Sequence, residues 1–191
     1  MAKQGIFSDK KIVGSPIVHL LSIFLMLFLF WMILAGRTET KFIVYGLITS
    51  AVTAWVTYPL LLVENQEGSK RYFVFGVNPF RFLVYSGWLM WQMVLANVDV
   101  FLATTGQELA IDPKVVRFYF KADNPMASVV LANSITLTPG TLTLNVTEEG
   151  LYEIHALTPV AAAGVLDGAM QKQVADLYGE ALDFTVAEGE E

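Results

Sequence analysis

Two stretches of this chain contain no Asp, Glu, Lys or Arg, and each is long enough to cross a bilayer. They run from Pro16 to Gly36, "PIVHLLSIFLMLFLFWMILAG", and from Phe42 to Val63, "FIVYGLITSAVTAWVTYPLLLV". A spanning helix needs about 20 apolar residues to cover a hydrocarbon core of about 30 Å. The first run is too long for the apolar core of a secretory leader, and no small-residue cleavage signal follows it. Only "RTETK", residues 37–41, separates the two runs. The pattern therefore predicts a tight helical hairpin with spans at 16–36 and 42–63. These runs also account for a composition that is 54% hydrophobic and only 16% charged, against about 25% charged in ordinary soluble domains.

A third apolar segment, "FRFLVYSGWLMWQMVLANVDVFLATTG", runs from Phe80 to Gly106, with its helical part expected at about 80–104. Gln92, Asn97 and Asp99 interrupt its second half, so it reads either as a minimal span or as an interfacial helix with Trp88 and Trp91 at headgroup depth. Basic residues bear on the choice. With two spans, the N-terminus with Lys3, Lys10 and Lys11, the loop carrying Lys70 and Arg71 with Arg81 beside it, and the segment carrying Lys114, Arg117 and Lys121 share one side, dividing these nine basic residues against Arg37 and Lys41. With three spans the division is six against five. Since cytoplasmic segments carry the excess of Lys and Arg, two spans and an interfacial third helix are favoured, with the C-terminal part in the cytoplasm. Residues 64–79, "ENQEGSKRYFVFGVNP", read as a loop with a short apolar patch.

The pattern changes after Pro113. "VVRFYFK" alternates, with Val116, Phe118 and Phe120 on one side, as a half-buried strand does. "DNP" then caps a helix with Pro125 at its first position, whose apolar face is expected to hold Met126, Val129, Val130, Asn133 and Leu137. "TPGT" is a stop and a turn. "TLTLNV" and "LYEIHAL" form a hairpin around "TEEG", and residues 162–178 are helical again. The order strand, helix, strand, strand, helix is most of a ferredoxin-like α+β arrangement; "DFTVAE" is a weak fourth strand. The expected organisation is thus a membrane domain over residues 1–106, a cytoplasmic α+β domain over 107–182 and an acidic tail over 183–191, its last residues disordered.

The run "LANSITLTPGTLTLNV" followed by "LYEIHAL" resembles the E subunit of Mrp-type (Mnh-type) multisubunit cation/proton antiporters. "WMILAG" at the end of the first span and "VLANVDVF" in the third segment resemble it too. The likeness covers most of Pro16 to Leu157. It implies a small subunit of a plasma-membrane complex whose partners are the other antiporter subunits and the lipid bilayer, and it brings no catalytic residue and no cofactor. The chain departs from the family in its N-terminal extension, 1–15, and its acidic C-terminus.

Chemistry-bearing residues are sparse. The chain has no cysteine, which removes thiolate nucleophiles, disulfides and thiolate metal sites, and its net charge is −6 with no basic patch for nucleic acid. Neither catalytic nor metal-ligating constellations are expected. An ion path needs ionisable groups within the bilayer; the candidates are His19 in the first span and Asp99 in the third segment. A lone histidine near the end of a span more often meets interfacial water or a backbone carbonyl than serves as a proton relay, and Asp99 is solvated if its helix is interfacial. Gly46, Ser50 and Ala54 repeat every fourth residue, a spacing that lets a partner helix approach closely, here either the first span or another subunit. Thr136, Thr138 and Thr141 around Pro139-Gly140 lack the glycines and lysine of a phosphate cradle and are read as a structural turn. Asn133 is expected to tie the preceding helix to that turn, and His155 to be an ordinary strand residue. The reading that results is an accessory and assembly subunit, not an enzyme and not itself lining the ion path. The alternatives are a structural subunit of a hydrogenase-linked ion pump and a membrane-anchored ligand-binding or enzymatic domain.

Overall fold

The computed structural model describes residues 11–106 and 111–187; the four final residues of the acidic tail lie outside that range. The chain divides into two compact units, Met1–Gly76 and Val77–Glu191.

The first unit is the hairpin. Helix α1 (Pro16–Ala35) begins with Pro16 preset for a helical first turn and stops at Gly36, whose N–H bonds back to the Met32 carbonyl. Helix α2 (Thr40–Thr57) follows, and a 3₁₀ turn, Tyr58–Leu61, finishes it. By length and composition these two helices, Pro16–Ala35 and Thr40–Leu61, are able to cross a membrane. At one end of the hairpin lies a small sheet: β1 (Lys11–Ile12) pairs in parallel with β3 (Lys70–Phe73), and β2 (Leu62–Glu64) pairs antiparallel on the other side of β3. The segment read as a loop from sequence is therefore a β-hairpin. Its turn is closed by buried Asn65, whose Oδ1 accepts from the N–H groups of Ser69 and Lys70. Arg71 and Glu64, opposite one another in the register, form a cross-strand ion pair at 2.9 Å.

The second unit contains the third apolar helix together with the α+β layer. Helix α3 (Pro79–Thr105) is capped by Asn78, whose Oδ1 accepts from the N–H groups of Phe80 and Arg81. Strand β4 (Lys114–Lys121), α4 (Pro125–Leu137), β5 (Thr141–Val146), β6 (Leu151–Ala156), α5 (Pro159–Leu166), α6 (Ala169–Tyr178) and β7 (Asp183–Val186) follow. The sheet order is β5-β6-β4-β7, antiparallel throughout. This is the ferredoxin-like arrangement, completed by the strand that is weakest in sequence. Asp183–Val186 thus belong to the sheet rather than to a tail, and Phe184 packs against the core.

Alternation places Val116, Phe118 and Phe120 of β4 beside Tyr152, Ile154 and Ala156 of β6, all buried under the helices. Phe118 and Tyr152, directly opposite in register, stack with ring centroids 4.9 Å apart. The face of α4 turned to this core is Ala127, Leu131, Ser134 and Ile135, not the one expected. Val129 and Leu137 are exposed instead. The residues that face the sheet include a small one and a hydroxyl, because α4 lies close to the strands and Ser134 is hydrogen-bonded to Tyr85 of α3. Helix α4 also runs beside the edge strand β5: Thr136 Oγ1 accepts from the N–H of Thr143, and the Thr143 hydroxyl donates to the Ala132 carbonyl.

Candidate functional site

Gly46, Ser50 and Ala54 form the buried strip of α2. The strip is occupied within the hairpin by α1. A Cβ on Gly46 would lie 2.5 Å from Trp31 Cδ1 and 2.8 Å from its Nε1, so only glycine admits the indole at that depth. Trp31 Nε1 donates to the Phe42 carbonyl at 3.0 Å, which holds the ring across the helix pair. Thr49 and Thr57, on the neighbouring strip, return their hydroxyls to carbonyls of α2 itself, Tyr45 and Thr53, as groups inside a bilayer must.

His19 sits near the start of α1 against the small sheet. Its ring stacks on Phe73 with centroids 4.5 Å apart and planes 15° from parallel. A Cβ on Gly14 would lie 2.6 Å from its Nε2, and its Nδ1 is buried without a hydrogen-bond partner. The histidine is packed as an aromatic ring. Among the described residues no group of three or more His, Asp and Glu is placed to hold a metal.

In the second unit, two distant segments meet. Asp99 of α3 accepts a hydrogen bond from the Thr158 hydroxyl at 2.9 Å; Thr158 in turn caps α5 by accepting from the Ala161 N–H. Beside this contact, Asp99, Thr138, Pro139, Trp88 and Gln171 line a cavity of about 270 Å³ with largely apolar walls. Gln171 is fully buried, donates to the Val165 carbonyl at 2.9 Å and leaves its Oε1 without a protein partner. The "VLANVDVF" helix and the "TPGT" turn thus close on one cleft. Gly140 has φ +86, and a Cβ there would lie 3.1 Å from Val100 Cγ2, so the turn needs glycine both for its left-handed backbone and for the approach of α3. Thr138 and Thr141 bind the turn to α4 through the carbonyls of Ser134 and Ile135.

Asn133 takes no part. It is exposed, and its amide bonds to the Val129 carbonyl one turn back; the helix is joined to the turn by the threonines. Sequence reading passed over Tyr85, Thr158 and Gln171. For Gln171 a signal existed, since it lies on the same helical face as Met170 and Val174, where a polar residue must find a partner or a ligand.

The sequence model of the MNHE family, described as Na+/H+ ion antiporter subunit, matches residues 24–176. This chain belongs to that family. No curated protein matches it. Among solved structures, the MNHE chain is similar to a chain of the membrane-bound sulfane sulfur reductase, an archaeal respiratory membrane complex. The two are 29% identical with a TM-score of 0.57, over 73% of this chain and 83% of that one. It is also similar to a chain of the Mrp complex from Dietzia sp. DQ12-45-1b, at 24% identity and a TM-score of 0.35, over 52% of this chain and 94% of that one. The matched region contains the small-residue strip, α3, the turn and most of the ferredoxin-like layer.

Proposed function

We propose that this MNHE-family chain is an accessory and assembly subunit of a multisubunit cation/proton antiporter, with its α+β unit in the cytoplasm and no part of the ion path running through it. The observation that carries this reading is the chemistry of the hairpin. Neither spanning helix holds an Asp, Glu or Arg; Lys41 lies in the first turn of α2, paired with Glu39 at 2.9 Å. The one remaining ionisable side chain of ion-path type, His19, is stacked on Phe73. A proton or sodium route requires acids or bases facing a cavity inside the bilayer, and the hairpin offers a small-residue seam in their place. The cytoplasmic side is supported by the distribution of Lys and Arg and by the pairing of β1 with β3, which brings Lys11 alongside Lys70 at one end of the hairpin.

The likeness to the sulfane sulfur reductase chain favours a second reading, the same structural part in a redox-linked membrane complex. Purification of the subunit in mild detergent distinguishes the two by what accompanies it: antiporter-type subunits alone, or redox subunits as well. The division of labour is tested by His19→Ala. Cation-dependent proton movement in vesicles, per assembled complex, is expected to stay within about twofold of the parent, which corresponds to roughly 0.4 kcal/mol. Abolished transport with intact assembly would place this subunit in the proton route.

A further inference from the structure

We infer that α3 does not cross the membrane but lies flat in one leaflet's interface, presenting its outer face to lipid and its inner face to the α+β layer. The inner contacts run along nearly the whole helix. Arg81 Nη1 donates to the Asp176 carbonyl at the C-terminal end of α6, Tyr85 is bonded to Ser134 of α4, Asp99 to Thr158 at the start of α5, and Ala103 is buried. From Arg81 to Ala103 a helix rises about 33 Å, as much as the full hydrocarbon core of about 30 Å. A spanning α3 would therefore drag α4, α5 and α6 into the bilayer, with Asp167, Lys172, Asp176 and Glu180 among their residues and connections.

The outer face has the chemistry of a lipid contact rather than a water contact. Phe80, Leu83, Met90, Trp91, Phe101 and Leu102 are all exposed, Phe80 by 73% and Phe101 by 62%. Both charged residues of α3, Arg81 and Asp99, are turned inward to the bonds just described. The exposed polar side chains are satisfied by the helix itself: Asn97 donates to the Met93 carbonyl at 2.7 Å, Thr104 to Val100 at 2.8 Å and Thr105 to Phe101 at 2.7 Å. Polar groups that close on their own helix need neither water nor a partner chain, the condition for residence in lipid. Helices of this kind rest about 5–10 Å into the headgroup and acyl boundary.

The inference is independent of which complex the subunit joins. It is tested on the full-length chain in phosphatidylcholine–phosphatidylglycerol vesicles, where the absence of native cysteine makes single reporters clean. Leu83→Cys, Met90→Cys, Val94→Cys and Phe101→Cys, all at exposed positions, each receive a nitroxide. Relative collision with oxygen and with a water-soluble nickel chelate gives the depth of each label. The expected result is four depths within about 5 Å of one another, all just below the headgroups. Depths that pass through the bilayer centre and spread over about 27 Å from Leu83 to Phe101 would overturn it, as would labels with full nickel accessibility and no lipid protection. The same labels in the purified complex, if shielded from both oxygen and nickel, would assign the face to a partner subunit and also overturn it.

Discussion

Gly46→Ala is the sharpest test of how the hairpin is held. The added methyl would sit 2.5 Å from Trp31 Cδ1 and 2.8 Å from Nε1, where carbon contacts settle near 3.5–4.0 Å. One of the two groups has to give by about 1 Å. The indole is not a loose end, because its Nε1 is bonded to the Phe42 carbonyl at 3.0 Å. If the ring stays, the helices separate, and overpacking of this kind costs about 1–3 kcal/mol. If it swings into lipid, the hydrogen bond is lost, at about 0.5–1.5 kcal/mol, together with the packing around it. Against either loss stands the better helix propensity of alanine, about 0.8–1.0 kcal/mol. The net expectation is destabilisation of up to about 2 kcal/mol. Gly87→Ala supplies the control, since a Cβ there meets nothing within 4 Å and only the propensity gain applies. The assay is reversible unfolding of the full-length chain from mild detergent micelles by added dodecyl sulfate, followed by circular dichroism. Trp31 emission is read in a background where Trp55, Trp88 and Trp91 are phenylalanine. Gly46→Ala should unfold at lower dodecyl sulfate with shifted Trp31 emission, Gly87→Ala at the same or higher concentration. Adding Trp31→Ala should make the two changes strongly non-additive, as for any contacting pair. A Gly46→Ala chain as stable as Gly87→Ala, with Trp31 emission unchanged, would refute the account of the seam.

Other expectations follow from the second unit. Gly140→Val should lower the yield of folded subunit, measured as monodisperse material on size exclusion, because strain at φ +86 costs about 1 kcal/mol or more and the branched side chain meets Val100. Asn133→Leu should leave unfolding midpoints within about 0.5 kcal/mol of the parent, since the amide is exposed and bonds only to its own helix. Thr158→Ala should cost about 0.5–2 kcal/mol as a lost helix cap and should also free Asp99, raising hydrogen exchange at the start of α5. Burial pushes the Tyr152 phenol up from 10.0 to about 12, partly offset by its bond to Ser128. The folded state therefore favours the neutral phenol; this stabilisation is complete below pH 10 and is lost as pH rises through 12. At pH 11 the loss from this group is on the order of 1 kcal/mol, visible as a lower unfolding midpoint and diminished in Tyr152→Phe.

Legibility in the sequence followed the range of the interactions involved. The spans and the strand Val116–Phe118–Phe120 were readable because burial by one surface imposes a simple period. The packing face of α4 was not, because burial there went to Ala127 and Ser134, which are chosen by distance to the sheet and by a hydroxyl partner 49 positions away. The hairpin of β2 and β3 escaped notice because its turn is organised by one asparagine side chain rather than by an apolar pattern. Gly140 was legible as a turn, yet its second role, making room for Val100, depends on how α3 folds back. Asp99 reads from sequence as an ion-path candidate if its helix spans and as a solvated acid otherwise; what decides its surroundings is Thr158, far along the chain, and no local spacing announces that pairing.

The bond from Thr136 to the backbone of Thr143 has a consequence for the life of the subunit before it meets its partners. An open sheet edge is a template on which a second chain can add a strand, and newly made proteins awaiting assembly are exposed to that hazard. Here the middle of the β5 border is already spoken for by a neighbouring helix, and the opposite border, β7, is only Asp183–Val186 long. In an orphan copy of the subunit, addition of a second chain at either border of the sheet is thereby disfavoured.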